Sequence, residues 1–237
     1  MEQPILFELD GPVAIIRLNR PGRRNAINEA LLRGLYDSLE RVARDSAVKV
    51  AIITGTGKAF CSGLDLDCLA TDNLLDPRGD GRDMVDLISA CEKPIIGAIN
   101  GYAITGGFEL ALNCDFLVAA ESASFADTHA RVGIQPGWGM TQLLQQAVGQ
   151  RMAKQMSFTC QFISAAQALR CGLVNEVVPD EELLPRARAI AEAICAVNYD
   201  MLVKIKRLIE HRNQALLNDA MDHERKGLKA MIAAMAR

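Results

Sequence analysis

The most chemically suggestive arrangement in the chain is a glutamate three residues beyond a glycine, in Asn100-Gly-Tyr-Ala-Ile-Thr-Gly-Gly-Phe-Glu109. The run before it is apolar and strand-like, and a helix is expected from about Gly106 to Asn113. Glu109 would then stand in the first helical turn, where aligned peptide dipoles favour a carboxylate. A second glycine-bearing turn, Ala59-Phe-Cys-Ser-Gly-Leu-Asp-Leu66, also follows an apolar run. Backbone N–H groups left free at such turns can converge on a developing negative oxygen. Glycine lets the backbone come close to a ligand because no Cβ intervenes. Gly106-Gly107 equally suits close packing of a helix on a strand, and Glu109 equally suits an exposed helix face. Spacing alone leaves both readings open.

Other chemistry is less well supported. Gly55-Thr-Gly-Lys58 is followed by Ala59, so the phosphate-cradling GxxxxGK[ST] pattern is incomplete, and no GxGxxG occurs. Ser62 lies in Cys61-Ser-Gly63 rather than GxSxG, which argues against a nucleophile elbow. The seven cysteines are odd in number and form no CxxC pair, so neither a metal site nor a disulfide framework is expected. A reducing cytoplasm is the compartment this usage suggests.

The 237 residues carry 26 basic and 29 acidic side chains, a net charge of −3. Phosphate binding along a nucleic acid would need a basic excess, so no nucleic-acid partner is expected. Half of the residues are apolar, enough for a sizeable core without staples. The uncharged stretch from Val132 to Gln150 is interrupted by Pro136 and several Gly and Gln, so it does not read as a membrane span. Residues 1 to 12 show no basic start followed by an apolar run, hence no signal peptide is expected.

Short apolar runs alternating with helical periodicity must position these groups. Ile5 to Leu9 and Val13 to Leu18 read as strands broken at Gly11-Pro12. Asn28 is a candidate cap for a helix to about Asp45, with Leu31, Leu32, Leu35 and Leu39 on one face. Lys49 to Thr54, Ile95 to Asn100 and Phe116 to Ala120 read as further strands, with a helix from about Asp83 to Cys91 between the first two. Such alternation predicts an α/β layered core with crossover connections. Leu69 to Arg82, rich in Asp, Gly and Pro, is the expected mobile loop. Beyond Pro179 the pattern is helical over Glu181 to Val197, Met201 to Arg212 and from Leu216 on. The chain is therefore divided into a core, 1–180, and a helical region, 181–237, in whose charged tail His211 and His223 are read as solvated.

Several segments occur together and in order: Asn19-Arg-Pro21, Asn25-Ala-Ile-Asn28, Phe60-Cys-Ser-Gly-Leu-Asp65, Lys93-Pro94 through Asn100-Gly-Tyr-Ala103, Gly106-Gly107 with Glu109-Leu-Ala111, Cys114-Asp115, and Pro136-Gly-Trp-Gly139. From Ile5 to about residue 212 the chain resembles the crotonase superfamily, the enoyl-CoA hydratase/isomerase proteins. The resemblance implies a spiral of ββα units with a helical C-terminal trimerisation region, giving a homotrimer or a hexamer of paired trimers. It implies an acyl-CoA thioester as partner, its carbonyl accepting the backbone N–H groups of Leu64 and Gly106. Arg23 and Arg24, with backbone contacts from Ala26 and Leu66, would meet the nucleotide end, coenzyme A entering as part of the substrate and no further cofactor being needed. Asp67 departs from the pattern, since the family often has a basic residue there.

The resemblance also assigns the acid–base work. Glu109 matches the carboxylate that orients and deprotonates water. His129 stands where hydratases carry a second carboxylate, with Asp127 two positions away. Neighbours so spaced share a face in a strand but not in a helix. An imidazole can donate or accept a proton near neutrality, and an adjacent carboxylate favours its charged form. A His that merely binds or bonds a thioester group is the competing reading. The expected function is hydration of a 2-enoyl-CoA to a 3-hydroxyacyl-CoA through a thioester enolate. Alternatives are double-bond isomerisation, decarboxylation, C–C hydrolysis, or acyl-CoA binding with little turnover. The acyl pocket is expected between Leu69 to Arg82 and the segment after Pro136, where Trp138 either packs or lines the site.

Overall fold

The computed structural model describes residues 3–235, apart from the side chains at 208, 211–221, 223–224, 231 and 235. His211 and His223 lie outside that description. Four ββα turns succeed one another: β1 (Ile5–Asp10), β2 (Val13–Leu18) and α1 (Glu29–Arg44); β3 (Val50–Gly55), β4 (Ala59–Cys61) and α2 (Met84–Ser89); β5 (Ile95–Ile99), β6 (Tyr102–Ile104) and α3 (Gly106–Leu112); β7 (Phe116–Ala120), β8 (Ser124–Ala126) and α4 (His129–Val132). Then come α5 (Met140–Val148), α6 (Gln150–Thr159), β9 (Ile163–Ser164), α7 (Ala165–Arg170), β10 (Glu176–Val178), α8 (Leu183–Cys195) and α9 (Tyr199–Met235).

The large sheet has the order β1-β2-β3-β5-β7-β10, antiparallel only between β1 and β2. The second strand of each later turn goes to a smaller sheet, β4-β6-β8-β9, so the chain winds as a spiral between two sheets. Central parallel strands are covered on both faces, which is why β3 and β5 are continuous buried runs. Their period of two divides the core: Ile16, Ile53 and Ile99 face the helices of the spiral, while Ile15, Ile52, Ile96 and Val118 face the other way.

Asn28 caps α1 as its side chain suggests, Oδ1 accepting from Leu31 N at 3.0 Å, and the four leucines are buried. Asp83 and Asp86 form a capping box on α2. Leu69 to Arg82 is irregular, as its composition implies, but it is fastened rather than loose. Asp72 accepts from Glu29 N at 2.9 Å, and Arg78 bridges Asp37, Glu40 and Asp80.

The helical region differs from expectation in two ways. Leu183, Ala187 and Ala191 of α8 close the outer face of the large sheet, so this helix shares the core of residues 1–180. The helices expected at Met201–Arg212 and from Leu216 are one helix, α9, of 37 residues. Arg212-Asn-Gln-Ala-Leu216 contains no Gly or Pro to end it. Among the described residues no helix is long and apolar enough to cross a membrane.

Candidate active site

The two glycine turns meet at the ends of β4 and β6. Ile27 N donates to Gly63 O and Asp65 N to Ile27 O, both at 2.8 Å, which leaves Leu64 N on the opposite side of its strand-like link. Gly63 has φ +93°, and a Cβ there would meet Ile104 O at 3.0 Å and Gly106 N at 3.4 Å. A Cβ on Gly106 would sit 3.7 Å from Gly63 Cα. The two backbones thus face each other so closely that even a methyl group on Gly63 would be crowded. At Gly107 a Cβ would lie 2.2 Å from Cys61 O. The two readings of the glycine pair therefore divide between its members: Gly107 serves helix–strand packing, and Gly106 faces Gly63.

Glu109 is buried one turn into α3. Its Oε1 accepts from the amides of Gly137 at 3.3 Å, Trp138 at 2.8 Å and Met140 at 3.2 Å. The segment Pro136-Gly-Trp-Gly139 is the cradle that aims it, tied in turn by Asn113 Nδ2, which donates to both Glu109 O and Trp138 O. This leaves Oε2 toward His129, whose Nε2 is 3.6 Å away. Glu109 is no exposed helix residue.

His129 opens α4 and is buried. Asp127 lies in the junction after β8, in neither strand nor helix, and its Oδ1 takes both the backbone N–H of His129 at 3.1 Å and ring Nδ1 at 2.7 Å. Burial opposes charge on the ring, but the Asp127 hydrogen bond and the Glu109 carboxylate outweigh it and raise the pKa to about 9. Burial likewise opposes charge on Asp127, yet its bonds to His129 and Ser157 hold it below the usual carboxylate range. In the sequence Asp127 is marked only by its spacing, two residues before His129.

Glu109 and His129 line a cavity of about 550 Å³ whose walls are mostly apolar. Leu64 comes from the Gly63 turn, Leu69 and Leu74 from the irregular loop, and Trp138 both packs and lines. Leu228 and Ile232 of α9, which the sequence did not single out, close the far wall. A Cβ on Gly137 would meet Leu228 Cδ2 at 2.1 Å, so α9 is seated directly on the Glu109 cradle.

The residues expected at the nucleotide end lie together around the loop from 20 to 27. Arg23 is paired with Asp67 at 2.8 Å, both exposed, so the acid that departs from the family pattern occupies one of the two guanidinium groups. Arg24 is exposed in a left-handed turn, and Leu66 is exposed. Ala26 is buried, its N–H donating to Arg23 O and its carbonyl accepting from Arg20. Arg20 also pairs with buried Asp65 at 2.9 Å, which locks this loop to the Leu64 turn. Among the described residues no cluster of His, Cys, Asp and Glu is arranged to hold a metal ion.

A ββα spiral wound between two sheets, with facing glycine turns beside a buried carboxylate, is the architecture of the crotonase fold; His129 is this chain's own departure from the second carboxylate. A sequence model described as enoyl-CoA hydratase/isomerase matches residues 8–236. The probable enoyl-CoA hydratase 1, peroxisomal, of Arabidopsis thaliana is 40% identical over 227 residues, 96% of this chain and 86% of that one. The crotonyl-CoA hydratase of Syntrophomonas wolfei is 42% identical over 194 residues, 80% of this chain and 75% of its own. The crystal structure of an enoyl-CoA hydratase from Mycobacterium tuberculosis H37Rv superposes with a TM-score of 0.86 at 40% identity, covering 96% of this chain and 98% of that one. The chain belongs to the enoyl-CoA hydratase/isomerase family.

Proposed function

We propose that this protein is a lyase that hydrates a 2-enoyl-CoA to a 3-hydroxyacyl-CoA. The observation that carries the reading is the buried Glu109–His129 pair, 3.6 Å apart, in the wall of an apolar cavity beside the facing backbones of Gly63 and Gly106. The relatives' names support it. In this reading the thioester oxygen accepts the N–H groups of Leu64 and Gly106, donors of the kind worth about 2.7–4 kcal/mol each to a developing oxyanion. Glu109 takes a proton from water as the hydroxyl adds to Cβ. The electron pair moves through the enoyl system to make the enolate, and His129 Nε2 delivers a proton to Cα. The proton on Glu109 then returns to His129.

Crotonyl-CoA and a longer 2-enoyl-CoA test this directly. Turnover of at least one is expected, and Glu109→Gln should lower kcat by about 10²–10⁴-fold, the usual worth of a positioned acid or base. Full turnover by that variant would remove Glu109 from the mechanism. A second reading, double-bond isomerisation, rests on the same pair, because a group that gives and takes protons over one face could carry a proton between Cα and Cγ. Product analysis separates the two.

Arg23 and Arg24, with the backbone of Ala26 and Leu66, are the proposed contacts to the nucleotide end, and no cofactor beyond coenzyme A in the substrate is invoked. The helical region is proposed to build a homotrimer, or a hexamer of two trimers. In support, Met201, Ile205 and Ile209 recur every fourth residue on α9, all about half exposed or more. A reducing cytoplasm is the proposed location; all seven cysteines are free thiols.

A further inference from the structure

The His129 ring lies between two carboxylates, Asp127 against Nδ1 and Glu109 opposite Nε2. An ionised carboxylate accepts hydrogen bonds and donates none. Nδ1 therefore carries a hydrogen, and Nε2 is the nitrogen turned toward Glu109. Because Asp127 Oδ1 also accepts the His129 backbone N–H, main chain and ring are held by one oxygen, which fixes the ring's orientation as well as its tautomer.

Among the described residues Asp127 makes no ion pair except that with His129. The cluster faces Glu109 from α3 and Ser157, an uncharged donor, from α6. Arg131 of α4 donates to Cys160 O at 2.9 Å, and Asp72 is the further acid of the cavity wall. A buried carboxylate is costly unless paired. The pair Asp127⁻/His129⁺ is neutral overall, as a protonated carboxyl group is, so it offers a proton without placing net charge beside the thioester.

We propose that Asp127 is a positioning residue for proton delivery: it holds the His129 ring with Nδ1 inward and a proton-bearing Nε2 toward Glu109 and the substrate, so that the acid of the reaction is an Asp127–His129 unit. Its role in turnover rests on the hydratase reading, whereas the state of the ring belongs to the free protein. The new Cα–H bond forms from the enolate electron pair and the Nε2 proton. The imidazole left behind is neutral, its Nδ1–H still donated to Asp127. Transfer of the proton that Glu109 took from water restores both groups, and the sum is addition of one water.

Asp127→Asn keeps the shape and an acceptor oxygen but removes the charge. NMR titration of the ring in the substrate-free protein is expected to place His129 at about 9 in the unmodified chain. In the variant its proton should be held at least ten-fold more weakly. The alkaline limb of kcat/KM on an enoyl-CoA should move to lower pH by the same factor, with kcat falling more than KM rises, and Asp127→Glu should restore part of the shift. A ring that titrates alike in both proteins would overturn the proposal. Should the variant not fold, ring nitrogen shifts of the unmodified protein at pH 7.5 decide: both nitrogens protonated supports it, a neutral ring refutes it. Absent turnover on every enoyl-CoA, with the ring titration as expected, would sink the hydratase reading alone.

Discussion

At the residue scale the site is a chain of three ionisable groups in which each holds the next. Three amides fix one oxygen of Glu109, and Asp127 fixes one nitrogen of His129. The same contacts make stability depend on pH. A histidine whose pKa rises from about 6.5 unfolded to about 9 folded binds its proton more tightly in the native state. The stability it adds is fully present below pH ~6.5 and lost as pH climbs through the folded value. Thermal unfolding of the unmodified protein and of His129→Asn should therefore differ most near pH 6 and converge toward pH 10. A constant difference across that range would show that the ring is not charged in the fold.

At the element scale the junction of β6 with α3 carries visible strain. Thr105 sits at φ 53°, ψ −116°, the dihedral angles of the first central residue of a type II′ turn, which ordinarily is glycine. A β-branched residue there is an outlier, with a cost of about 1–3 kcal/mol. Its hydroxyl is 2.5 Å from that of Thr128, and its N–H donates to Ala126 O, so neighbouring turns hold it in place. Gly106, which faces Gly63, follows directly on this residue. Both Thr105→Gly and Thr105→Ala lose the hydroxyl, so comparing them isolates the backbone. Glycine is expected to be the more stable of the two by about 1 kcal/mol or more, reversing their usual order. Denaturant midpoints measure this, and alanine matching or exceeding glycine would refute the strain.

At the scale of the whole molecule, α9 runs from an exposed apolar stripe to the wall of the site. One end presents Met201, Ile205 and Ile209 to solvent, and the other places Leu228 and Ile232 in the cavity wall. A helix of 37 residues spans about 55 Å at 1.5 Å per residue, so one continuous element reaches from surface to pocket. The proposed trimer would cover that stripe. Sedimentation should give three or six times the 25.8 kDa chain mass, and Ile209→Glu should shift it toward monomer; a monomer in the unmodified protein would refute the assembly.

Much of this was legible in the chain itself. β2 and β7 coincide with their apolar runs because interior strands of a sheet covered on both faces need apolar residues on both, and α1 begins where Asn28 caps it. The Glu109 turn stood out because glycine followed by acid is a local pattern. The strands of the smaller sheet, two or three residues each, are too short for any period to register. What Gly106 and Gly107 each do, that Asp127 and Glu109 flank His129, and that α9 closes the cavity were decided only by folding. Those contacts join segments distant in the chain, or turn on dihedral angles within a junction, and side-chain identity alone carries neither distance nor direction.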